Sequence, residues 1–329
     1  MSKLPASFST FHNKIVLGKT QESKINDRTE PLIADLQKHY DLTDEEVFLQ
    51  GSYPNGTAVK PDPEGKKGEY DVDLVCVSAS DGIEPEAAIE EMEDALDELG
   101  RGDRFDRDEE RPCVRLIYAD DPDGTHFHID VVPARESSSG EAPLEIPRPG
   151  HGWHDSDPAE YTKWCEEKGD PFARTVQMLK RWRDHNQDAR AAVKSIILQV
   201  LIHKNLDQDR DDGPRIAATL GNISDALETE SGVPVIKNPV LESEDLGKRW
   251  DEDDFNNFKK LVKEAAGLAE GALNESDESS STKGWQKLFG KDFPDYKGGG
   301  GSVSVPSKPA PGTKTSKQSY PTKNDGWGR

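Results

Sequence analysis

Two short segments in which apolar and polar side chains alternate restrict the fold of this chain most strongly. "DVDLVCV" begins at Asp71, and "HFHIDVVPA" begins at His126. A period of two residues is typical of a β-strand with one buried face. One face of the first strand then carries Asp71 and Asp73, and one face of the second carries His126, His128 and Asp130. We therefore expect two strands that present carboxylates on one side of a sheet.

A glycine-rich turn precedes the first of these strands. In "FLQGSYPNGT", Gly51 and Ser52 directly follow a short apolar run. A Gly-Ser pair after a strand and before a helix offers backbone N–H groups and a hydroxyl to a ligand, which suits a phosphate. Taken alone, the pair is more often a tight turn with a serine cap.

The combination of turn and acids is more specific than either part. Three carboxylates that converge on one face, Asp71, Asp73 and Asp130, repel one another unless cations bind between them. Mg²⁺ prefers such oxygen ligands and commonly bridges carboxylates to substrate phosphates. Two ions can activate an attacking hydroxyl and stabilise a leaving pyrophosphate. We predict that the turn binds a triphosphate and that the acids bind its metal ions.

Charge and composition exclude several classes of protein. The net charge of -22 over 329 residues disfavours a broad nucleic-acid surface. The chain has no run of about 20 apolar residues and its start, "MSKLPASFST", lacks the apolar part of a signal peptide, so we expect no membrane contact and a cytoplasmic location. Cys76, Cys113 and Cys165 have no metal-ligand spacing, and we expect reduced thiols.

Predicted helices and strands alternate in the first half of the chain. Apolar periodicity predicts a helix over residues 25–40, a strand over 47–50, a helix over 84–99 and a strand over 113–119. Together with the two acid-bearing segments, these elements indicate a mixed α/β class.

From about Glu145 the pattern becomes helical. Proline, glycine and tryptophan in "EIPRPGHGWH" indicate a crossing segment and a domain boundary. "DPFARTVQMLKRWRDHN" and "AAVKSIILQVLIHKNL" predict two helices separated by a polar turn near Asp188, and a further helix is predicted over 251–273. "NESDESSSTKG" indicates a flexible break, and the segment from Gly298 onward cannot bury enough apolar surface to fold.

The motifs "GSYPNGT", "DVDLV" and "HIDVVPA" resemble those of the DNA polymerase β-like nucleotidyltransferases. More narrowly, the chain resembles the CD-NTase group, bacterial relatives of cGAS and oligoadenylate synthetase. The resemblance, which covers about residues 8–273, implies an α+β fold: a nucleotidyltransferase core with an N-terminal helix (1–148), packed against a helical lobe (149–296). The composition of the remaining segment predicts a disordered tail (297–329). The resemblance also implies that Gly51 and Ser52 bind the donor triphosphate and that Asp71, Asp73 and Asp130 are the catalytic ligands of two Mg²⁺ ions, for which Mn²⁺ substitutes.

The second lobe supports the narrower resemblance. "MLKRWRDHN" is similar to the family helix whose lysine, here Lys180, contacts donor phosphates, and "VKSIILQVL" to the next helix, whose serine, here Ser195, also reaches them. Two features depart from the family pattern. The zinc-binding insertion of cGAS is absent from the sequence, and Ile196 stands where a base-stacking tyrosine often follows the serine.

The resemblance implies an enzyme that joins nucleoside triphosphates, releases pyrophosphate and closes the product into a cyclic di- or trinucleotide second messenger. In bacteria the family commonly serves anti-phage (CBASS) signalling, in which an effector protein binds the product, and accessory regulators acting on the enzyme are a further expected class of partner. The alternatives are a transferase that makes linear oligonucleotides or nucleotidylates RNA or protein, a module that senses nucleotides without turnover, and a scaffold with a working tail.

Other conspicuous residues have simpler interpretations. His126 and His128 are not expected to be metal ligands, because imidazole favours zinc-type sites over magnesium sites. They are expected either to form hydrogen bonds near the cleft or to cap the edge of the strand. Trp153, Trp164, Trp182 and Trp250 are expected to be core residues. The arginines that alternate with acids, Arg101, Arg104, Arg107 and Arg111, are expected to form a solvated segment rich in ion pairs.

Overall fold

A computed structural model describes residues 3–61, 69–108, 110–118, 126–140, 142–209 and 211–297. The side chains of Glu69, Tyr70 and His126 are outside this description. The predicted tail also lies outside it, apart from its first residue, and stays a prediction.

Helices and strands alternate along the first half of the chain, as the sequence predicts. The strands are β1 (Val47–Gln50), β2 (Glu69–Cys76), β3 (Phe105–Asp106), β4 (Val114–Tyr118), β5 (His126–Pro133), β6 (Arg135–Glu136), β7 (Leu144–Arg148) and β8 (Gly152–Ser156). The helices are α1 (Pro5–Ile15), α2 (Lys19–Tyr40), α3 (Pro85–Glu98), α4 (Pro158–His185), α5 (Gln187–Ala192), α6 (Ser195–Asn205), α7 (Asp212–Glu228), α8 (Glu252–Asn274) and α9 (Glu278–Phe289).

Contacts between residues divide the described chain into two compact units. The sheet unit comprises the described residues of 17–56 and 69–166, and the helical unit comprises 3–16, 57–61 and the described residues of 167–297. The division assigns α1 to the helical unit and falls inside α4. The boundary predicted from sequence composition, near residue 148, stays a prediction about domains.

The sheet unit is built on a mixed five-stranded sheet in the order β1-β2-β5-β4-β3. β2 and β5 are parallel neighbours at its centre, and the other pairs are antiparallel. The alternation of "DVDLVCV" puts Val72, Leu74 and Cys76 into a core that also contains Leu32 and Met92 from the flanking helices α2 and α3. The apolar face predicted for β2 is confirmed, so its acidic residues occupy the other face.

A second, three-stranded sheet (β6-β7-β8) belongs to the same unit and was not predicted. The segment "EIPRPGHGWH" forms most of the β7–β8 hairpin instead of a simple crossing. Leu144 packs with Phe48, Val75 and Ala134 in a small buried cluster. Proline and glycine correctly predicted the turn at residues 149–151. The short strands on either side were missed because these residues are uncommon within strands.

The helical unit is closed by aromatic packing between the N-terminal helix and the last helix. Phe8 and Phe11 of α1 contact a cluster formed by Trp285, Phe289 and Phe293, all of them fully or almost fully buried. Such rings bury a large apolar area, so this cluster holds α1 onto the helical unit.

Two sequence predictions for this unit need correction, and one helix was missed. "NESDESSSTKG" is no flexible break, because the Asp277 side chain accepts a hydrogen bond from the Ser280 N–H and starts α9. The polar turn near Asp188 is the short helix α5, with Asn186 as its N-cap. Helix α7 was not predicted. Capping side chains outweighed polar composition in the first two cases.

Several smaller predictions are confirmed. Cys76, Cys113 and Cys165 are free and buried. Trp164, Trp182 and Trp250 are core residues as predicted, whereas Trp153 is only half-buried and lies against the Arg135 guanidinium. All four arginines of the segment form ion pairs: Arg101 with Asp35, Arg104 with Asp103, Arg107 with Glu93 and Arg111 with Asp106. Among the described residues, no helix combines the length and the hydropathy that a membrane crossing requires.

Candidate active site

The predicted carboxylates come together because β2 and β5 are adjacent and parallel. In this pair Asp71 lies opposite His128, and Asp73 lies opposite Asp130. Paired residues of neighbouring strands point to the same face of a sheet, so the three acids share the face that does not contact the core of α2 and α3.

Three of the side chains on this face could bind one cation. One ligand atom each from Asp71, His128 and Asp130 lie within 4.8 Å of one another. The Nε2 atom of His128 is 2.8 Å from Oδ1 of Asp71, which agrees with the hydrogen-bonding role expected for this histidine. His128 and Asp130 are buried, whereas the Asp71 side chain is 59% exposed. The cluster therefore combines two buried side chains with one carboxylate that is accessible to solvent.

Asp73 meets the glycine-rich turn. Gly51 has φ +83°, and a Cβ atom at this position would lie 2.4 Å from Oδ2 of Asp73. A side chain here would be strained by its backbone and would collide with the carboxylate, so glycine is required for both reasons. Turn and acids thus form one local structure, as the sequence analysis expected.

The turn itself differs from the prediction in one respect. Residues 51–56 form consecutive turns, closed by a hydrogen bond from the Asn55 N–H to the Gly51 carbonyl, and among the described residues that follow them no helix begins before β2. Backbone N–H groups of the turn, and not a helix N-terminus, are what Gly51 and Ser52 can offer to an anion.

Arg115 is a site residue that the sequence analysis missed. It lies on β4 opposite Asp130, and its guanidinium donates two hydrogen bonds to that carboxylate, Nε to Oδ1 at 2.7 Å and Nη2 to Oδ2 at 2.6 Å. The hydrogen bond to Asp130 raises the pKa of Arg115 further above its ordinary value. The signal was present in "CVRLIYA", where Arg115 is the one charged residue of an otherwise apolar strand.

The donor set fits a divalent cation. Carboxylate oxygens from two strands suit a hard ion such as Mg²⁺ or Mn²⁺. The collision that a Cβ at Gly51 would produce shows how closely the turn approaches Asp73. The excess of carboxylates over cationic side chains at this face favours a bound cation.

The two candidate phosphate-binding residues of the helical unit are well ordered within it. Lys180 of α4 is buried, and its Nζ donates to the Thr57 carbonyl at 3.0 Å. Ser195 is the first residue of α6, and its Oγ accepts a hydrogen bond from Arg183 at 2.5 Å. Both residues are held by neighbours of their own unit, and their roles toward a nucleotide stay predictions.

Comparison with known proteins identifies the family. Residues 1–169 match the model of the Second Messenger Oligonucleotide or Dinucleotide Synthetase (SMODS) domain. A cyclic AMP-AMP-AMP synthase of Acinetobacter sp. is 26% identical over 259 residues, which cover 75% of this chain and 72% of the relative. A probable cyclic AMP-AMP-GMP nucleotide synthase of Salmonella paratyphi B is 28% identical over 190 residues, 53% of this chain and about half (49%) of the relative.

The fold agrees with the sequence matches. The structure of CdnC from E. coli MS115-1 with ATP superposes with a TM-score of 0.69 at 15% identity, covering 88% of this chain and 98% of that one. The same CdnC has also been solved in complex with HORMA-deltaN.

The chain belongs to this synthetase family, the CD-NTases, and the predicted polymerase β-like α+β fold is confirmed. It is a metal-dependent nucleotidyltransferase of the class that synthesises cyclic oligonucleotide second messengers.

Proposed function

We propose that Asp71, Asp73 and Asp130 hold two Mg²⁺ ions and that the enzyme uses them to join nucleoside triphosphates into a cyclic di- or trinucleotide. The observation that carries this proposal is the pairing of Asp73 with Asp130 across parallel strands, with Asp71 and His128 beside them. When bound, the ions supply activation of the attacking hydroxyl and neutralisation of the leaving pyrophosphate.

The chain's own residues then have distinct tasks. A ribose hydroxyl of the acceptor attacks the α-phosphorus of the donor and loses its proton at the Asp130 carboxylate. The bond from the α-phosphorus to the bridging oxygen breaks, and pyrophosphate leaves. Backbone N–H groups at Gly51 and Ser52 bind the triphosphate and take up part of the charge that develops on it. His128 holds Asp71 in position through their hydrogen bond.

Lys180 and Ser195 are proposed to bind donor phosphates. The support is their place in the motifs "MLKRWRDHN" and "VKSIILQVL".

The bases of the product are left to experiment. The named products of the two sequence relatives differ in one base. Both names contain adenine, which makes ATP the first substrate to test.

The proposed biological role is anti-phage signalling, in which an effector protein binds the cyclic product and accessory regulators act on the enzyme. Membership of the synthetase family supports the signalling role. The HORMA-deltaN complex of CdnC is a precedent for a regulator, and it concerns that protein.

The test is mass spectrometry of the products formed from mixed nucleoside triphosphates with Mg²⁺ or Mn²⁺. We expect a cyclic oligonucleotide mass that survives phosphatase and disappears in the double variant Asp71→Ala and Asp73→Ala. Loss of two metal ligands should reduce turnover by about 1,000-fold or more. Asp103→Ala is the matched control, since this acid is 81% exposed and pairs with Arg104, outside the carboxylate cluster. Phosphatase-sensitive or nucleotidylated products would contradict the proposal and support a linear transferase.

A further inference from the structure

A guanidinium lies directly beside Asp130, which is one of the proposed metal ligands. Both carboxylate oxygens of Asp130 accept a hydrogen bond from Arg115. The Asp130 side chain is 9% exposed and that of Arg115 is 22% exposed, so water screens this pair only partly. Charge-assisted, two-point pairs of this kind are among the stronger hydrogen-bonded contacts in proteins.

Arg115 has a second acidic neighbour, Asp106, whose carboxylate is hydrogen-bonded by a different arginine. On its other side, β4 pairs with β3, and Arg115 lies opposite Asp106. The Asp106 carboxylate is held by Arg111, whose Nη1 donates to Oδ2 at 2.7 Å. Arg111 and Arg115, four residues apart, therefore each pair with a different acid of the same sheet. Arg111 satisfies an acid outside the metal cluster, and Arg115 satisfies a member of it.

We propose that Arg115 is a positioning residue whose guanidinium acts as the resident counterion of Asp130 and weakens divalent-cation binding until a nucleotide is present. This inference rests on the proposed metal site. A fixed positive charge beside the carboxylates repels an incoming cation and reduces their net negative charge. The triphosphate brings several negative charges, which offset that repulsion. Metal binding and nucleotide binding are therefore coupled through Arg115.

The experiment measures Mn²⁺ binding directly, from the electron paramagnetic resonance signal of the free ion, with and without a nonhydrolysable nucleoside triphosphate. The proteins are the wild type, Arg115→Met and, as matched control, Arg111→Met. Without nucleotide, Arg115→Met should bind Mn²⁺ about 10-fold more tightly than the wild type, because one nearby positive charge is gone. The nucleotide should then tighten Mn²⁺ binding by a smaller factor than in the wild type. Arg111→Met should bind Mn²⁺ as the wild type does.

Arg115→Lys keeps the proposal falsifiable if the methionine variant does not fold. Lysine retains the charge but cannot reproduce the two-point contact. It should leave nucleotide-free Mn²⁺ affinity within about threefold of the wild type, a shift of less than 1 kcal/mol. A gain of 10-fold or more in this variant would show that the charge is not the cause and would overturn the proposal.

The remaining outcomes separate this inference from the proposed function. Unchanged or weaker Mn²⁺ binding by a folded Arg115→Met variant overturns the role of Arg115 while leaving the metal site in place. The proposed metal site is wrong if the wild type binds no Mn²⁺ even with nucleotide. It is also wrong if the Asp71→Ala, Asp73→Ala variant binds Mn²⁺ with the same affinity as the wild type. In either case the role of Arg115 is contradicted too.

Discussion

The molecule contains two clusters of charged side chains that differ in their balance. In the sheet unit, Asp71, Asp73 and Asp130 are accompanied by Arg115, so carboxylates are in excess. In the helical unit, Asp212 pairs with Arg174 and Arg215 in a largely buried cluster, with His12 at its edge.

The two clusters contain similar side chains, but their surroundings indicate different roles: one stabilises the fold, and the other is a candidate binding site. The Asp212 cluster is internally satisfied: Arg215 also donates to the Thr175 hydroxyl, and His12 hydrogen-bonds Gln177. The carboxylate cluster keeps an excess of negative charge and an acid, Asp71, that is more than half exposed. Removal of a charge should therefore cost stability in the helical unit and activity in the sheet unit.

The largest expected effect on stability comes from Asp212→Asn. Burial raises the pKa of this carboxyl, but the hydrogen bond and charge of Arg174 outweigh it and leave the pKa below its ordinary value. Loss of the negative charge would leave two guanidinium groups without their carboxylate partner, which should lower the free energy of unfolding by about 3 kcal/mol. Urea denaturation measures the change.

Asp225→Asn on the same helix is the control, because that acid is exposed. Equal unfolding free energies of the two variants would show that the buried Asp212 contributes no more to stability than an exposed acid. The contrast with the carboxylate cluster would then be wrong.

A smaller effect is expected from pH, through His12. Burial, followed by the charge of Arg174, lowers the pKa of His12 to about 4. The folded protein then binds this proton less readily than the unfolded chain, so the stability is present above the ordinary histidine pKa and is lost as the pH falls from about 6.5 toward 4. Between pH 7 and pH 5 the loss attributable to His12 should be about 2 kcal/mol.

The measurement is the difference in unfolding free energy between pH 7 and pH 5 for the wild type and for His12→Gln. The variant should lose that part of the pH dependence, while His39→Gln, at an exposed position of α2, should retain it. A pH dependence unaltered by His12→Gln would mean that His12 takes up a proton in the folded protein as easily as in the unfolded chain.

The smallest effect is expected at Lys180, which could belong either to the structural charges or to the nucleotide-binding residues. Lys180 is buried like the Asp212 cluster, yet the family motif predicts that it binds phosphate. Lys180→Met retains the volume and removes the charge, and it should raise the KM for the nucleoside triphosphate about 10-fold.

Lys204→Met, at an exposed position near the end of α6, should leave the KM unchanged. A Lys180→Met enzyme with wild-type kinetics and reduced stability would place Lys180 among the structural charges.

The strands that carry the acids could be predicted from the sequence, because side-chain alternation depends only on neighbouring residues. In a β-strand, successive side chains point to opposite faces, so the order of residues in "DVDLVCV" and "HIDVVPA" already decides that the acids share a polar face. The close approach of Gly51 to Asp73, by contrast, depends on the pairing of β1 with β2. Where polar composition concealed short elements, as in "EIPRPGHGWH" and "NESDESSSTKG", the prediction was wrong, because pairing and capping contacts decided the structure.

What the sequence determined by itself is which face of each strand carries Asp71, Asp73 and Asp130. Only the tertiary structure decided that β2 and β5 are parallel neighbours, that Asp73 lies opposite Asp130, and that Arg115 rather than Arg111 neutralises this acid. The physical reason is that side-chain alternation follows from the geometry of consecutive residues, whereas strand order and register are set by packing among segments far apart in the chain.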